Sequence, residues 1–204
     1  MKKSVLAAVC ALSLMPVFAG PAHAALTIPP TTTKGAWFSY TGMLDECLEA
    51  RVFLTTYDSV VLKGGVTLSN HGEGVISIRD YCNLTLPEDD GEDAEPRPTL
   101  VFNANLDPTH GPTLGSRLAS ATYQDTREHE TDEGSTTITV DVTWSATGPL
   151  VKTQDADPGP AGTFISKNES RAAEATIAID TGTHQISATT DRAEIWTNSY
   201  LLIG

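Results

Sequence analysis

Ser135-Thr136-Thr137-Ile138-Thr139-Val140-Asp141-Val142-Thr143-Trp144-Ser145-Ala146-Thr147-Gly148-Pro149-Leu150 is the stretch whose reading decides the fold. Ile138, Val140, Val142 and Trp144 recur at period two, separated by Thr139, Asp141 and Thr143. Successive side chains of a strand point to opposite faces, so the pattern predicts a β-strand with one apolar and one polar face. Gly148 is free to turn and Pro149 has no N–H for a ladder, so the strand ends there.

The neighbouring segments read the same way. Residues 47–56 alternate Leu48, Ala50, Val52 and Leu54 with Glu49, Arg51, Phe53 and Thr55, and residues 172–180 alternate Ala173, Ala175, Ile177 and Ile179 with Glu174, Thr176 and Ala178. Shorter extended segments are expected at 36–41, 60–70, 74–83, 99–106, 119–123, 164–168, 184–189 and 200–203. Thr181-Gly182 supplies a hairpin turn. Trp37 and Phe38 must face opposite ways, so one of them is a core residue. About 8–10 short strands, no helical period and no repeat at fixed spacing predict an all-β, antiparallel β-sandwich, with a β-barrel-like sandwich as the alternative.

Two segments break the pattern. Residues 87–98, Pro-Glu-Asp-Asp-Gly-Glu-Asp-Ala-Glu-Pro-Arg-Pro, concentrate like charge and proline and read as a flexible acidic loop. Residues 154–162 hold Asp155, Asp157, Pro158, Gly159 and Pro160 and read as a second loop.

The amino terminus is a separate matter. Lys2 and Lys3 precede an apolar run that ends at Ala22-His23-Ala24, the layout of a secretory signal peptide over residues 1–24 cleaved near Ala24. Residues 25–35, with Pro29-Pro30 and three threonines, read as an extended arm, and 36–204 as a single domain. No segment has the roughly 20 apolar residues of a membrane span. The expected destination is the periplasm or the exterior.

Two cysteines, Cys47 and Cys82, follow the leader. In an oxidising compartment they are expected to form one disulfide. The formal charge is −13, and removing Lys2 and Lys3 while keeping every acidic residue takes it to −15. That balance excludes nucleic acid and anionic membrane surfaces, which select basic patches. An extracellular protein or a glycan is the kind of partner left.

Motifs for chemistry are sparse. The acidic loops offer oxygen ligands for calcium, but the spacing is not that of an EF-hand; Asp155 and Asp157 near Gly159 are the nearest match. His71, His110, His129 and His184 lie far apart, and Glu128-His129-Glu130 lacks the second histidine of a zinc-protease motif. No nucleophile elbow is present, and no residue is assigned a catalytic role or a cofactor. Of three tryptophans, Trp144 shares the apolar face of its strand and is expected in the core. Trp37 is expected there too, and Trp196, between Glu194 and Asn198 in chain order, is the candidate for an exposed sugar-stacking ring.

Val142-Thr143-Trp144-Ser145-Ala146-Thr147-Gly148-Pro149, the Val52-Phe53-Leu54 strand, Tyr81-Cys82, Leu114-Gly115-Ser116 and the alternating 172–179 segment together resemble a group of small exported bacterial all-β proteins with a Thr-Trp strand ending in Gly-Pro. The resemblance implies export and an all-β fold. It implies no catalytic residue, cofactor or ligand. The functional expectation is therefore an exported, non-catalytic module with a binding or structural role; the alternatives are an extracellular hydrolase acting on a polymer and a calcium-stabilised surface or adhesion domain.

Overall fold

A computed structural model describes residues 31–61, 71–86, 95–131, 134–160 and 162–203. Residues 1–24, expected as a signal peptide, residues 25–30 of the expected arm, residues 62–70 of the expected 60–70 segment and residues 87–94 of the acidic loop lie outside the described residues. Ten strands follow in chain order: β1 (Thr31–Met43), β2 (Leu48–Val61), β3 (Gly72–Thr85), β4 (Arg97–Asn105), β5 (Thr113–Leu114), β6 (Ser120–Thr131), β7 (Gly134–Ala146), β8 (Val151–Gly159), β9 (Gly162–Asp180) and β10 (Gln185–Ile203). A 3₁₀ turn, Ser116–Leu118, separates β5 from β6.

All strands join one antiparallel sheet in the order β4-β3-β2-β1-β10-β9-β7-β6-β5, with β8 added to β9 beside β7. The first and last described strands meet mid-sheet, where β1 lies against β10 from Thr31↔Tyr200 to Phe38↔Ala193. The sheet does not close into a barrel. It folds over instead, so that strands distant in the order touch across the interior. Phe38 of β1 and Trp144 of β7 have ring centroids 6.0 Å apart, and Trp144 Nε1 donates to the Trp37 carbonyl at 3.0 Å. Phe102 of β4 lies 5.8 Å from His129 of β6 and 6.4 Å from His184. The all-β, antiparallel reading of the sequence is therefore the observed class.

The inward faces follow the alternation. Ile138, Val140, Val142 and Trp144 of β7 are buried, as are Ala173, Ala175, Ile177 and Ile179 of β9 and Ala50, Val52 and Leu54 of β2. Burying an aliphatic or aromatic side chain of this size stabilises by about 1.5–3 kcal/mol. The core is the contact of these rows across the fold.

Cys47 and Cys82, 35 positions apart in sequence, form the expected disulfide, with Cα atoms 5.2 Å apart. Each cysteine sits in the same kind of turn. Asp45 Oδ1 accepts from the backbone N–H groups of Cys47 and Leu48, and Asp80 Oδ1 from those of Cys82 and Asn83. The bond thus joins the entry of β2 to the bend in β3, and a loop of this length stabilises by about 3–4 kcal/mol in the chain-entropy model.

Three expectations are corrected. Residues 154–159, read as loop, belong to β8, because the backbone of β9 from Ser170 to Gly162 satisfies their hydrogen bonds despite the proline and glycine. β1 begins at Thr31, so the last five residues of the expected arm are already paired with β2 and β10. Trp37 is on the outer face: Ala36 and Phe38 point inward and are fully buried, which places Trp37 opposite them.

Candidate functional site

The outer face of the sheet where β2, β1, β10 and β9 run side by side carries the densest group of aromatic rings. Inward positions there are Thr56, Ala36 and Ile195; the alternate positions Tyr57, Gly35 and Trp196 face outward. Gly35 stands directly between Tyr57 on β2 and Trp196 on β10 in the register. A Cβ placed on Gly35 would lie 2.8 Å from Trp196 Cζ2, 2.8 Å from Tyr57 Cβ and 2.6 Å from the Thr56 carbonyl oxygen. The indole of Trp196 therefore reaches across β1 and occupies the space a side chain at position 35 would need. Its ring centroid is 6.3 Å from that of Tyr57, at a tilt of 43°.

Trp37 extends this row. Its Nε1 donates to Glu194 Oε2 at 3.1 Å, directly across from it on β10. The three indoles differ in that respect: Trp144 and Trp37 each have an acceptor, whereas Trp196 Nε1 has none among the described residues. Around Trp196 the outward positions are hydroxyls and amides. Ser170 stands opposite it on β9, and one pair further along come Asn198 with Asn168 and Thr33. Thr33 Oγ1 and Ser59 Oγ are 2.9 Å apart. Beyond them Tyr200 and Phe164, both exposed, form a stacked pair at 5.8 Å and 22°.

The inner face of the same segment has the opposite character. Lys34, Lys167, Lys152 and Arg171 occupy inward positions, Lys34 across from Asp58 and Lys152 Nζ 2.5 Å from Glu169 Oε1. On the outward side, no lysine or arginine occurs among the described residues of β1 from Thr31 to Trp37 or of β10 and β9 facing them.

A second polar group lies at the unclosed side of the fold, on β6. Tyr123 is buried and its hydroxyl donates to Asp125 Oδ2 at 2.9 Å; Arg127 Nη2 donates to the same oxygen. Burial alone would raise the Asp125 carboxyl, but the hydrogen bonds from Arg127 and Tyr123 outweigh it and hold the pKa below the usual value. Burial, reinforced by Asp125, pushes the Tyr123 phenol well above its ordinary range. His110 stacks on Tyr123 at 5.0 Å, with Nδ1 and Nε2 within 2.8 Å and 3.1 Å of the Gly111 and Gln124 carbonyls. These bonds tie the segment after β4 to β6, and that tie accounts for the group structurally.

The other residues singled out by the sequence are dispersed. His71 lies 3.3 Å from Asp58, while His129 and His184 flank Phe102. Glu128 and Glu130 are exposed on β6. Asp155 and Asp157 are exposed on one face of β8, opposite Ser166 and Phe164, with no third carboxylate in the register beside them. Cys47, Asp80 and Cys82 bring potential ligand atoms within 4.8 Å of one another, but both sulfurs are committed to the disulfide. The hollows among the described residues are shallow. One of about 420 Å³ lies over Gln124 and Asp141 on β6 and β7, and one of about 470 Å³ over Tyr40, Glu174 and Arg192 near an irregularity in β10. Of the sequence candidates, Trp196 is the one placed within a cluster, and its partners Gly35, Tyr57 and Tyr200 went unremarked. A glycine inside a strand, opposite a tyrosine on the adjacent strand, is the signal that locates them.

No protein-family model, no curated protein and no solved structure matches the chain.

Proposed function

We propose that the protein is an exported binding module that engages its partner with the outer face of the sheet around Trp196. The observation that carries this reading is the arrangement of Tyr57, Gly35 and Trp196: a large ring seated over a glycine, half-buried, with no acceptor for its N–H among the described residues. Aromatic rings with one free face and a polar tip are the groups that dominate recognition surfaces, because they supply much contact area for little lost conformational freedom. The signal-peptide layout of residues 1–24 supports export, and the disulfide is compatible with an oxidising compartment. No helix among the described residues is long and apolar enough to cross a membrane. The resemblance to small exported bacterial all-β proteins points the same way.

The test is retention. The protein and its Trp196→Ala variant are compared for capture by separated wall, secreted-polymer and secreted-protein fractions of a bacterial culture. Capture by one fraction, weakened at least tenfold in the variant, is the expected outcome. Equal capture of both proteins would move the site elsewhere, and steady release of soluble products from a fraction would make the protein an enzyme.

A further inference from the structure

We infer that the ligand of this face is a neutral polysaccharide chain, laid along β10 with sugar rings stacked at two stations, Trp196 with Tyr57 and Tyr200 with Phe164. The inference rests on the binding-module reading and names its ligand class. Four residues separate Trp196 from Tyr200 on one strand, so the stations lie about 13 Å apart on the same side of the sheet, a span of more than one sugar ring. What fills the interval decides between a sugar chain and a protein. The outward positions there are Asn198, Asn168, Thr33 and Ser166, amides and hydroxyls that both donate and accept. Among the described residues the outward aliphatic side chains, Val151 opposite Ser170 and Leu202 opposite Phe164, stand at the two ends of this interval and not within it, whereas the anchor of a protein interface is a contiguous apolar centre.

A pyranose presents just this combination in reverse: a flat patch of C–H groups that stacks on a ring face, edged by hydroxyls that need partners in the sheet plane. Trp196 Nε1, without an acceptor among the described residues, keeps a hydrogen to donate to such a hydroxyl. Charge excludes the acidic alternatives. The four cations of this segment, Lys34, Lys152, Lys167 and Arg171, are on the inner face, and the charges on the outer side are Glu194, Asp155 and Asp157. An anionic polymer would meet only repulsion there. The sheet is also exposed and open at this face, which suits the middle of a long chain rather than a capped end.

Affinity electrophoresis separates the possibilities. The protein is run through gels containing, one at a time, a mixed-linkage β-glucan, a xylan, a galactomannan, a dextran and, as anionic controls, alginate and polygalacturonate. Retardation by at least one neutral polymer and by neither control is expected. Trp196→Ala should weaken the apparent affinity at least tenfold and Phe164→Ala roughly threefold, with Trp196→Phe retaining most of it. Near-ultraviolet circular dichroism confirms that each variant is folded. Retardation by no neutral polymer, by the anionic ones instead, or undiminished in both alanine variants overturns the inference. A wild-type protein that ignores every polymer yet captures a secreted protein through Trp196 would sink the sugar ligand while leaving the binding module intact.

Discussion

Strand β9 passes through two different environments, and the contrast between them explains the molecule. From Ala172 to Asp180 its residues alternate strictly between exposed and buried, because the folded-over half of the sheet covers one side. From Gly162 to Ser170 the same strand is partly exposed on both sides, with Lys167 on the inner face and Phe164, Ser166 and Asn168 on the outer. Strand β10 changes in the same direction, with a register irregularity between Thr190 and Ala193. One half of the sheet is thus a core, where side chains are chosen for packing. The other is a surface, where rings and amides are held in place by the strands but covered by nothing among the described residues.

The sharpest way to test that division is to remove an indole from each half. Trp144 is fully buried, packed on Phe38 and hydrogen-bonded to Trp37, so Trp144→Ala should cost about 3–5 kcal/mol in urea unfolding. Trp196→Ala should cost about 1 kcal/mol, since one side of its ring is open. Equal losses would erase the distinction between core and surface. Next in size is the disulfide: Cys47→Ser with Cys82→Ser should lower stability by about 3 kcal/mol under oxidising conditions and change nothing once the wild type is reduced.

Gly35 tests the surface half from beneath. Gly35→Ala forces a methyl to within 2.6 Å of the Thr56 carbonyl and 2.8 Å of the Trp196 ring, so about 1–3 kcal/mol should be lost and the Trp196 fluorescence should shift as the indole is displaced. A neutral substitution would show that the ring does not rest there.

A smaller effect than that of Gly35→Ala is expected at Asp125. Its pKa in the folded protein is depressed, so its contribution is present above the unfolded value near 4 and is lost as pH falls through the lower folded value. Stability should therefore decline below about pH 4. Asp125→Asn should flatten that decline and cost about 1–2 kcal/mol at neutral pH, measured by urea unfolding at stepped pH, because Arg127 keeps no full charge partner.

The core half was legible in the sequence for a physical reason: burial on one side imposes a period of two, and Ile138 to Trp144 or Ala173 to Ile179 display it. The cysteine pair was legible because the chain after residue 24 holds two cysteines, which allow one bond. The surface half hides its structure. Asp155, Asp157 and Pro158 carry no apolar period, since β8 is exposed throughout, and composition alone made them a loop. Trp37 and Phe38 were assigned to opposite faces correctly, but alternation does not say which face is covered; that depends on β7, more than 100 residues away. The seat of Trp196 over Gly35 depends on the β1–β10 register, which pairs residues 161 positions apart.

That register also governs the order in which the fold can be completed. The central pair of strands is made from the first and last described segments of the chain, Thr31 against Tyr200. Loop closure over such a distance comes late, after local hairpins such as β6–β7 have formed. A chain threaded across a membrane from its amino end would carry β1 out with no partner for its β10 edge until the final twenty residues emerged. Until then the two groups of strands it joins would be separate sheets, each with an open edge to guard.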